Sequence, residues 1–226
     1  MSIHAWPESQ RPREKLLARG ADKLSDAELL ALFLGSGLAG CNAVETARRV
    51  LHDAGGLRAL LEMPPPRQRQ LPGIGPARQA LLSASLELGR RYLGEPLTRG
   101  KALTQPADAA QYLNACLRGH RHEVFACLFL DNKHRMLAYE EIFHGTIDSA
   151  AVYPREVLRR AMVHNAAAVI LAHNHPSGVA EPSEADRSIT EKLIRTLDMV
   201  DVRVLDHLII GDGIWTSLRE RDWPVC

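Results

Sequence analysis

The stretch Leu171–Asp186, "LAHNHPSGVAEPSEAD", follows the apolar run "AAAVIL" and decides how the rest of the chain is read. One reading is an ordinary strand, a turn and a helix cap. The other is a metal site. His173 and His175 stand at i and i+2, so on an extended chain both rings share one face. Ser183 and Asp186 form S-x-x-D, the spacing of a capping box, in which the serine meets the N3 amide and the N3 acid reaches back. Asp186 also shares a helical face with Ile189 and Leu193, at i+3 and i+7. A carboxylate on that inward face needs a cation or several hydrogen bonds to offset its desolvation. Two neutral imidazoles and a carboxylate are suitable zinc ligands, and three protein ligands leave a fourth position for water, the catalytic arrangement. Such a water has its pKa lowered to about 7 and supplies hydroxide at neutral pH.

Hydrolysis also needs a base that takes the water's proton and passes it to the leaving group. Glu123, Glu140, Glu141 and Glu156 are the candidates, and spacing does not choose between Glu123 and Glu140. Ser183 could donate its hydroxyl to a developing oxyanion. His207 reads as a structural histidine on a strand, bonded to backbone or to Asp206. As a fourth ligand it would make the site a structural zinc module instead. His120, His122, His134, His144 and His164 are scattered in sequence and suit surface or packing roles.

Outward from this stretch the second half alternates strands and helices. "EVFACLFL" and "RMLAYEEIF" read as a hairpin around "DNKH", "YPREVLRRAMVHNA" as a helix with Pro154 near N1, and "AAVILA" as a strand buried on both faces. A helix follows at "PSEADRSITEKLIRTLDM", then two strands, "VRVLDHLIIG" and "IWTSL", around "GDG". "ADAAQYLNACLRG" is a helix before them all. This is an α/β domain, a mixed sheet flanked by helices. The first half is helical: "LSDAELLALFLG" has Ser25 as cap and Gly35 as stop, and "NAVETARRVLHDAGG" has Asn42 and Gly55. "GLRALLEM" is a short helix, and the run through the prolines to "RQRQ" a solvated link. In "LPGIGPARQALLSASLELGRRYL" the apolar residues Ala77, Leu81, Ala84 and Leu88 fall on one helical face. "LGEPLTRGKALTQP" breaks the pattern, so the chain divides near residue 100 into an all-helical domain, 1–100, and a sheet domain, 101–226.

The halves differ in charge: residues 1–100 carry 14 basic and 10 acidic side chains, residues 101–226 carry 14 and 17. Two domains with different tasks fit this, but the basic excess is too small to establish nucleic-acid binding. The four cysteines are scattered without a C-x-x-C pair, which predicts free thiols in a reducing compartment. No apolar leader or membrane-length run is present, so the protein is expected to be soluble and cytoplasmic, without a membrane partner.

"LPGIGPARQA" has the look of a helix-hairpin-helix turn. Gly73 and Gly75 can adopt backbone angles closed to other residues, and their amides could face a phosphate beside a helix N-terminus. Arg67, Arg69 and Arg78 lie nearby. DNA contact there would be sequence-independent and salt-sensitive; the alternative is a turn that only packs two helices.

"HNHPSGVAEPSEAD" resembles the H-x-H-x7-S-x2-D signature of the JAMM metalloproteases, the JAB/MPN type, with all four positions intact as His173, His175, Ser183 and Asp186. "EVFACLFL" is similar to the strand that carries that family's glutamate, with Ala126 where the pattern has its first glycine, so the resemblance gives Glu123 the base role. It implies a cytidine-deaminase-like fold, one zinc per chain held by His173, His175 and Asp186, and cleavage of peptide or isopeptide bonds. Roughly residues 10 to 220 also resemble the bacterial RadC-like family, on "RPREKLLARGADKLSDAELLALFLGSG", "LPGIGPARQALLSASLELGRR", "AVYPREVLRRAM", "ILAHNHPSG" and "DHLIIGDG". That family implies a metal-dependent hydrolase, a link by name to DNA repair, and no settled substrate. A DNA-associated accessory protein acting through the hairpin is the competing expectation.

Overall fold

The computed structural model describes residues 3–98, 103, 106–145 and 152–221. The chain folds as two compact units, Met1–Gly89 and Arg90–Cys226. Within the composition break at 93–106, residues 99–102, 104 and 105 lie outside the described residues. The helix across it, α6 (Pro76–Thr98), continues past Gly94 and Pro96, further than those two residues predict.

The first unit is helical: α1 (Pro12–Arg19), α2 (Asp26–Leu34), α3 (Ala43–Ala54), α4 (Leu57–Glu62), α5 (Pro65–Gln68) and the start of α6. Ser25 and Asn42 each close a full capping box, with Glu28 and Glu45 reaching back, so two orphan amides are satisfied at each helix start. The core gathers Leu30, Leu34, Val44, Ala47, Val50, Leu60, Ile74 and Leu82. Two expectations fail here. The proline-rich run is no solvated link, since it contains α5 and buries Gln68, whose Nε2 donates to the Leu60 carbonyl at 2.8 Å. On α6 the inward residue is Leu82, at 3% exposure, while Leu81 and Leu88 on the apolar stripe are 51% and 66% exposed. A stripe of the right period names a face without saying that anything covers it.

The second unit is a five-stranded sheet in the order β2-β1-β3-β4-β5. Its strands are β1 (Val124–Leu130), β2 (Met136–His144), β3 (Ala168–Asn174), β4 (Arg203–Ile210) and β5 (Trp215–Ser217). Only β3 and β4 run parallel; the other neighbours are antiparallel, so the sheet is mixed. Every residue of β1 and β3 is buried, which explains their unbroken apolar sequences. Ala126, Leu128, Ile170, Ala172 and Leu208 pack beneath α7 (Pro106–Leu117). The opposite face, with Phe125, Phe129, Val169 and Leu171, meets residues of α8 (Pro154–Val163) and α9 (Glu184–Asp198). Cys41, Cys116 and Cys127 are unbridged. No helix among the described residues is long and apolar enough to cross a membrane.

Candidate metal centre

The site forms where β3 leaves the sheet and the chain turns into α9. His173 is fully within β3, and His175 lies one residue past its end, where its N–H donates to the Ile210 carbonyl of β4 at 2.8 Å. The turn then closes by Gly178 N–H to the His175 carbonyl, and Gly178's own carbonyl accepts the Asp212 N–H. Two glycines make this possible. Gly178 has φ of +82°, and a Cβ on Gly211 would collide with the Gly178 carbonyl oxygen. "PSG" and "GDG" are therefore two halves of one contact.

The turn brings three ligand atoms together. His173 Nε2 lies 3.0 Å from His175 Nε2 and 3.1 Å from Asp186 Oδ1. His175 Nε2 is 3.5 Å from Asp186 Oδ2. Ligands about 2.05 Å from a tetrahedral zinc are separated by about 3.3 Å, so the spacings fit one ion. Asp186 serves both readings of its sequence context. Its Oδ2 accepts from the Ser183 N–H at 2.7 Å and the Ser183 hydroxyl at 2.6 Å, while its N–H donates to Ser183 Oγ, completing the capping box. Its Oδ1 faces His173.

The tautomers follow from the partners behind the rings. Thr190 Oγ1 is 2.5 Å from the Asp186 carbonyl, to which it must donate, and 2.6 Å from His207 Nδ1, from which it must accept. His207 is fully buried, and burial keeps its pKa well below the ordinary value, so its ring is neutral. With the proton on Nδ1, its Nε2 accepts from His173 Nδ1–H at 2.8 Å. His173 Nε2 therefore presents a lone pair. His175 donates from Nδ1 to the Val179 carbonyl at 2.9 Å, which leaves its Nε2 facing inward as well. Two imidazole lone pairs and a carboxylate at contact distance repel unless a cation stands between them. That need, met by a metal or by a proton, is the structure's own test of fit, and the residues pass it.

The electrostatics agree. Burial pushes the Asp186 carboxyl up, but the neighbouring His173, His175 and Ser183 outweigh it and hold the group well below the usual carboxylate range. The His175 imidazole is raised by its bond to Asp186, against burial, with the Val179 carbonyl and the charges of Asp186 and Glu123 adding to the effect.

Glu123 is the one candidate base whose charge acts on His175. The β1–β3 ladder ends at the pair Phe125 and His173, so Glu123 and His175 each lie two residues beyond it, at the same end of the sheet. Asn174, buried between the two histidines, accepts the Val124 N–H at 2.8 Å and donates to the carbonyls of His120 and His122, gripping the backbone on both sides of Glu123. The other candidates are engaged elsewhere: Glu140 with His164 and Arg160, Glu141 with His120 and Tyr139, Glu156 with Arg159 and Arg160. His207 stands behind His173 rather than beside the ligand atoms, and its ring bonds neither backbone nor the Asp206 carboxylate. Thr190 does not stand out in the sequence. Its only signal there is a polar residue four positions after Asp186 on an otherwise apolar face.

At the N-terminal hairpin, Gly73 has φ of +98° and Ile74 is buried. The Arg78 guanidinium turns back on its own chain. It donates to the carbonyls of Leu34, Gly73 and Ser36 and to Ser36 Oγ, at 2.8–3.0 Å, lashing the turn to the end of α2.

Comparison with known proteins bears on the whole chain. The model of the RadC-like JAB domain matches residues 103–223, and the UPF0758 N-terminal model matches residues 3–80. A UPF0758 protein of Alcanivorax borkumensis is 66% identical over 221 residues, covering 98% of this chain and 99% of its own. One from Xanthomonas oryzae pv. oryzae is 58% identical over 223 residues, covering 99% of each chain. The chain belongs to the UPF0758 family, with its N-terminal domain followed by a RadC-like JAB domain.

Proposed function

We propose that this protein is a zinc-dependent hydrolase of the JAMM type, a metallopeptidase acting on peptide or isopeptide bonds. The observation that carries the reading is the set of inward lone pairs at His173, His175 and Asp186, fixed from behind by His207, Thr190 and Val179. In this reading the sheet is a cytidine-deaminase-like scaffold and one zinc sits at the three ligand atoms. When bound, zinc supplies a Lewis acid and a water acidic enough to lose its proton at neutral pH. The residues around it do the rest. Glu123, just before β1 at the site's end of the sheet, takes the water's proton and returns it to the leaving nitrogen. Ser183 turns its O–H from Asp186 Oδ2 toward the oxyanion of the substrate carbonyl. His207 and Thr190 keep His173 in the tautomer that presents Nε2.

The test is hydrolysis of a panel of peptide and isopeptide substrates by the zinc-loaded protein beside Glu123→Gln and His173→Ala. Cleavage lost in both variants, with zinc lost only in His173→Ala, supports the reading. Cleavage that survives in His173→Ala, with zinc undiminished, ends it.

The alternative, a DNA-associated accessory protein working through a helix-hairpin-helix, draws on one observation. Gly75, just before α6, has nothing within 4 Å of where its Cβ would stand, so its backbone is open to approach. Salt-sensitive DNA binding lost in Gly75→Val would favour it.

A further inference from the structure

Three histidines that are scattered in sequence meet on the side of the sheet away from the first site. His144 ends β2 opposite Val124, and His120 and His122 lie on the segment between α7 and β1. Their ring centroids are 5.6 Å apart for His120 and His122, 5.7 Å for His122 and His144, and 6.5 Å for His120 and His144. We propose that His122, His144 and His120 form a second site for a zinc-type divalent ion, with Glu141 behind His120.

The spacing of two ring nitrogens carries the argument. His122 Nε2 and His144 Nδ1 are 3.4 Å apart. That is long for a hydrogen bond between imidazoles, yet it matches the separation of about 3.3 Å between two nitrogens on one tetrahedral zinc. Two ligands thus stand in place; His120, its ring centroid 5.6 Å from that of His122 and 6.5 Å from that of His144, does not reach them as it stands and would join by turning its side chain. Glu141 Oε1 meets His120 Nε2 at 3.2 Å and also accepts from the Tyr139 hydroxyl at 3.1 Å. A carboxylate bound to the far nitrogen of a ligating histidine is the usual outer partner of a metal site, and it leaves Nδ1 to turn toward the ion. The backbone is fixed beforehand, because Asn174 Nδ2 holds the carbonyls of both His120 and His122. Neutral imidazoles suit zinc, nickel or copper ions and exclude calcium and magnesium.

The site's consequence is local. An ion there ties the segment 120–122 to the end of β2, immediately before Glu123. It neither shares a ligand with the first site nor depends on that site being catalytic.

The experiment is a zinc titration of the full-length protein by chelator competition, with wild type, His173→Ala, His122→Ala/His144→Ala, and the triple variant. Two equivalents in wild type, one in each of the first two variants and none in the triple variant are expected. In His173→Ala, cobalt(II) should show tetrahedral visible absorption that disappears when His122 and His144 are also replaced. His122→Gln/His144→Gln is the second variant should the alanines disturb folding, as checked by circular dichroism. A single equivalent in wild type that vanishes in His173→Ala overturns the proposal, as does a titration unchanged by replacing His122 and His144. Zinc lost only through His122 and His144 would leave this site standing and remove the first.

Discussion

Two turns in this molecule look alike on paper and behave differently. "HPSG", after β3, and "LPGIG", before α6, each combine proline and glycine and each lead toward a helix. At the first, the polar side chains converge and face one another: His173, His175 and Asp186 sit at 3.0–3.5 Å with their lone pairs inward. At the second, the strongest polar group, Arg78, turns back on the chain and closes the turn itself. A polar residue near a glycine turn is evidence of a site only when its hydrogen-bonding capacity is not consumed by the turn. Asp186 shows that the two uses can share a residue, with Oδ2 serving both the cap and His175 and Oδ1 facing His173.

The largest way to break this comparison is His173→Ala, or Asp186→Asn at the same cluster. The zinc equivalent at this cluster and hydrolysis should be lost while the apolar core of the sheet keeps the domain folded, as read by elemental analysis and circular dichroism. Glu123→Gln should keep zinc and lower turnover by about 10²–10⁴, the ordinary contribution of a positioned base. An equal loss of zinc would move Glu123 from base to ligand. Thr190→Val removes the hydroxyl that orients His207, so zinc affinity should fall by about 10- to 100-fold in a competition assay. A variant with unchanged affinity would show that the chain of bonds behind His173 is idle.

Arg78→Ala sharpens the other side. Its loss removes a donor from the carbonyls of Gly73 and Ser36, Leu34 still accepting the Ser36 N–H, and should lower stability toward urea by about 1–2 kcal/mol, with zinc content unchanged. Unchanged stability together with lost DNA binding would reverse the assignment of that residue. The smallest effect is with pH. His175 has a raised pKa, so in the metal-free protein its proton contributes stability below the unfolded value and that contribution fades as pH rises through the folded one. The same proton competes with zinc, so affinity should begin to fall on acidification from above the ordinary histidine pKa of about 6.5. Asp186, held low, should stay ionised throughout this range.

Much of this was legible in the sequence, for physical reasons. Ser25, Asn42 and Ser183 announce helix starts because capping is local chemistry. β1 and β3 declare burial by unbroken apolar runs, and the inward Asp186 declares itself by its position on the stripe of Ile189 and Leu193. What escaped depends on strand pairing and long-range closure. Spacing does not separate Glu123 from Glu140, whereas the structure binds Glu140 to His164 and Arg160 and puts Glu123 just beyond the Phe125–His173 pair. His207 and Thr190 come from β4 and α9, and nothing local says that a hydroxyl will orient a histidine two elements away. The meeting of His120, His122 and His144 needs the β1–β2 hairpin. The exposed face of α6 shows the converse limit, since period identifies a stripe but not its cover.

The most direct test of the central claim is zinc affinity, measured by chelator competition on wild type beside His175→Ala. One zinc equivalent fewer in the variant than in wild type, with the equivalent at His122 and His144 remaining, is the predicted result. The same number of equivalents in both proteins would contradict the account, because the lone pairs at His173, His175 and Asp186 would then not hold an ion.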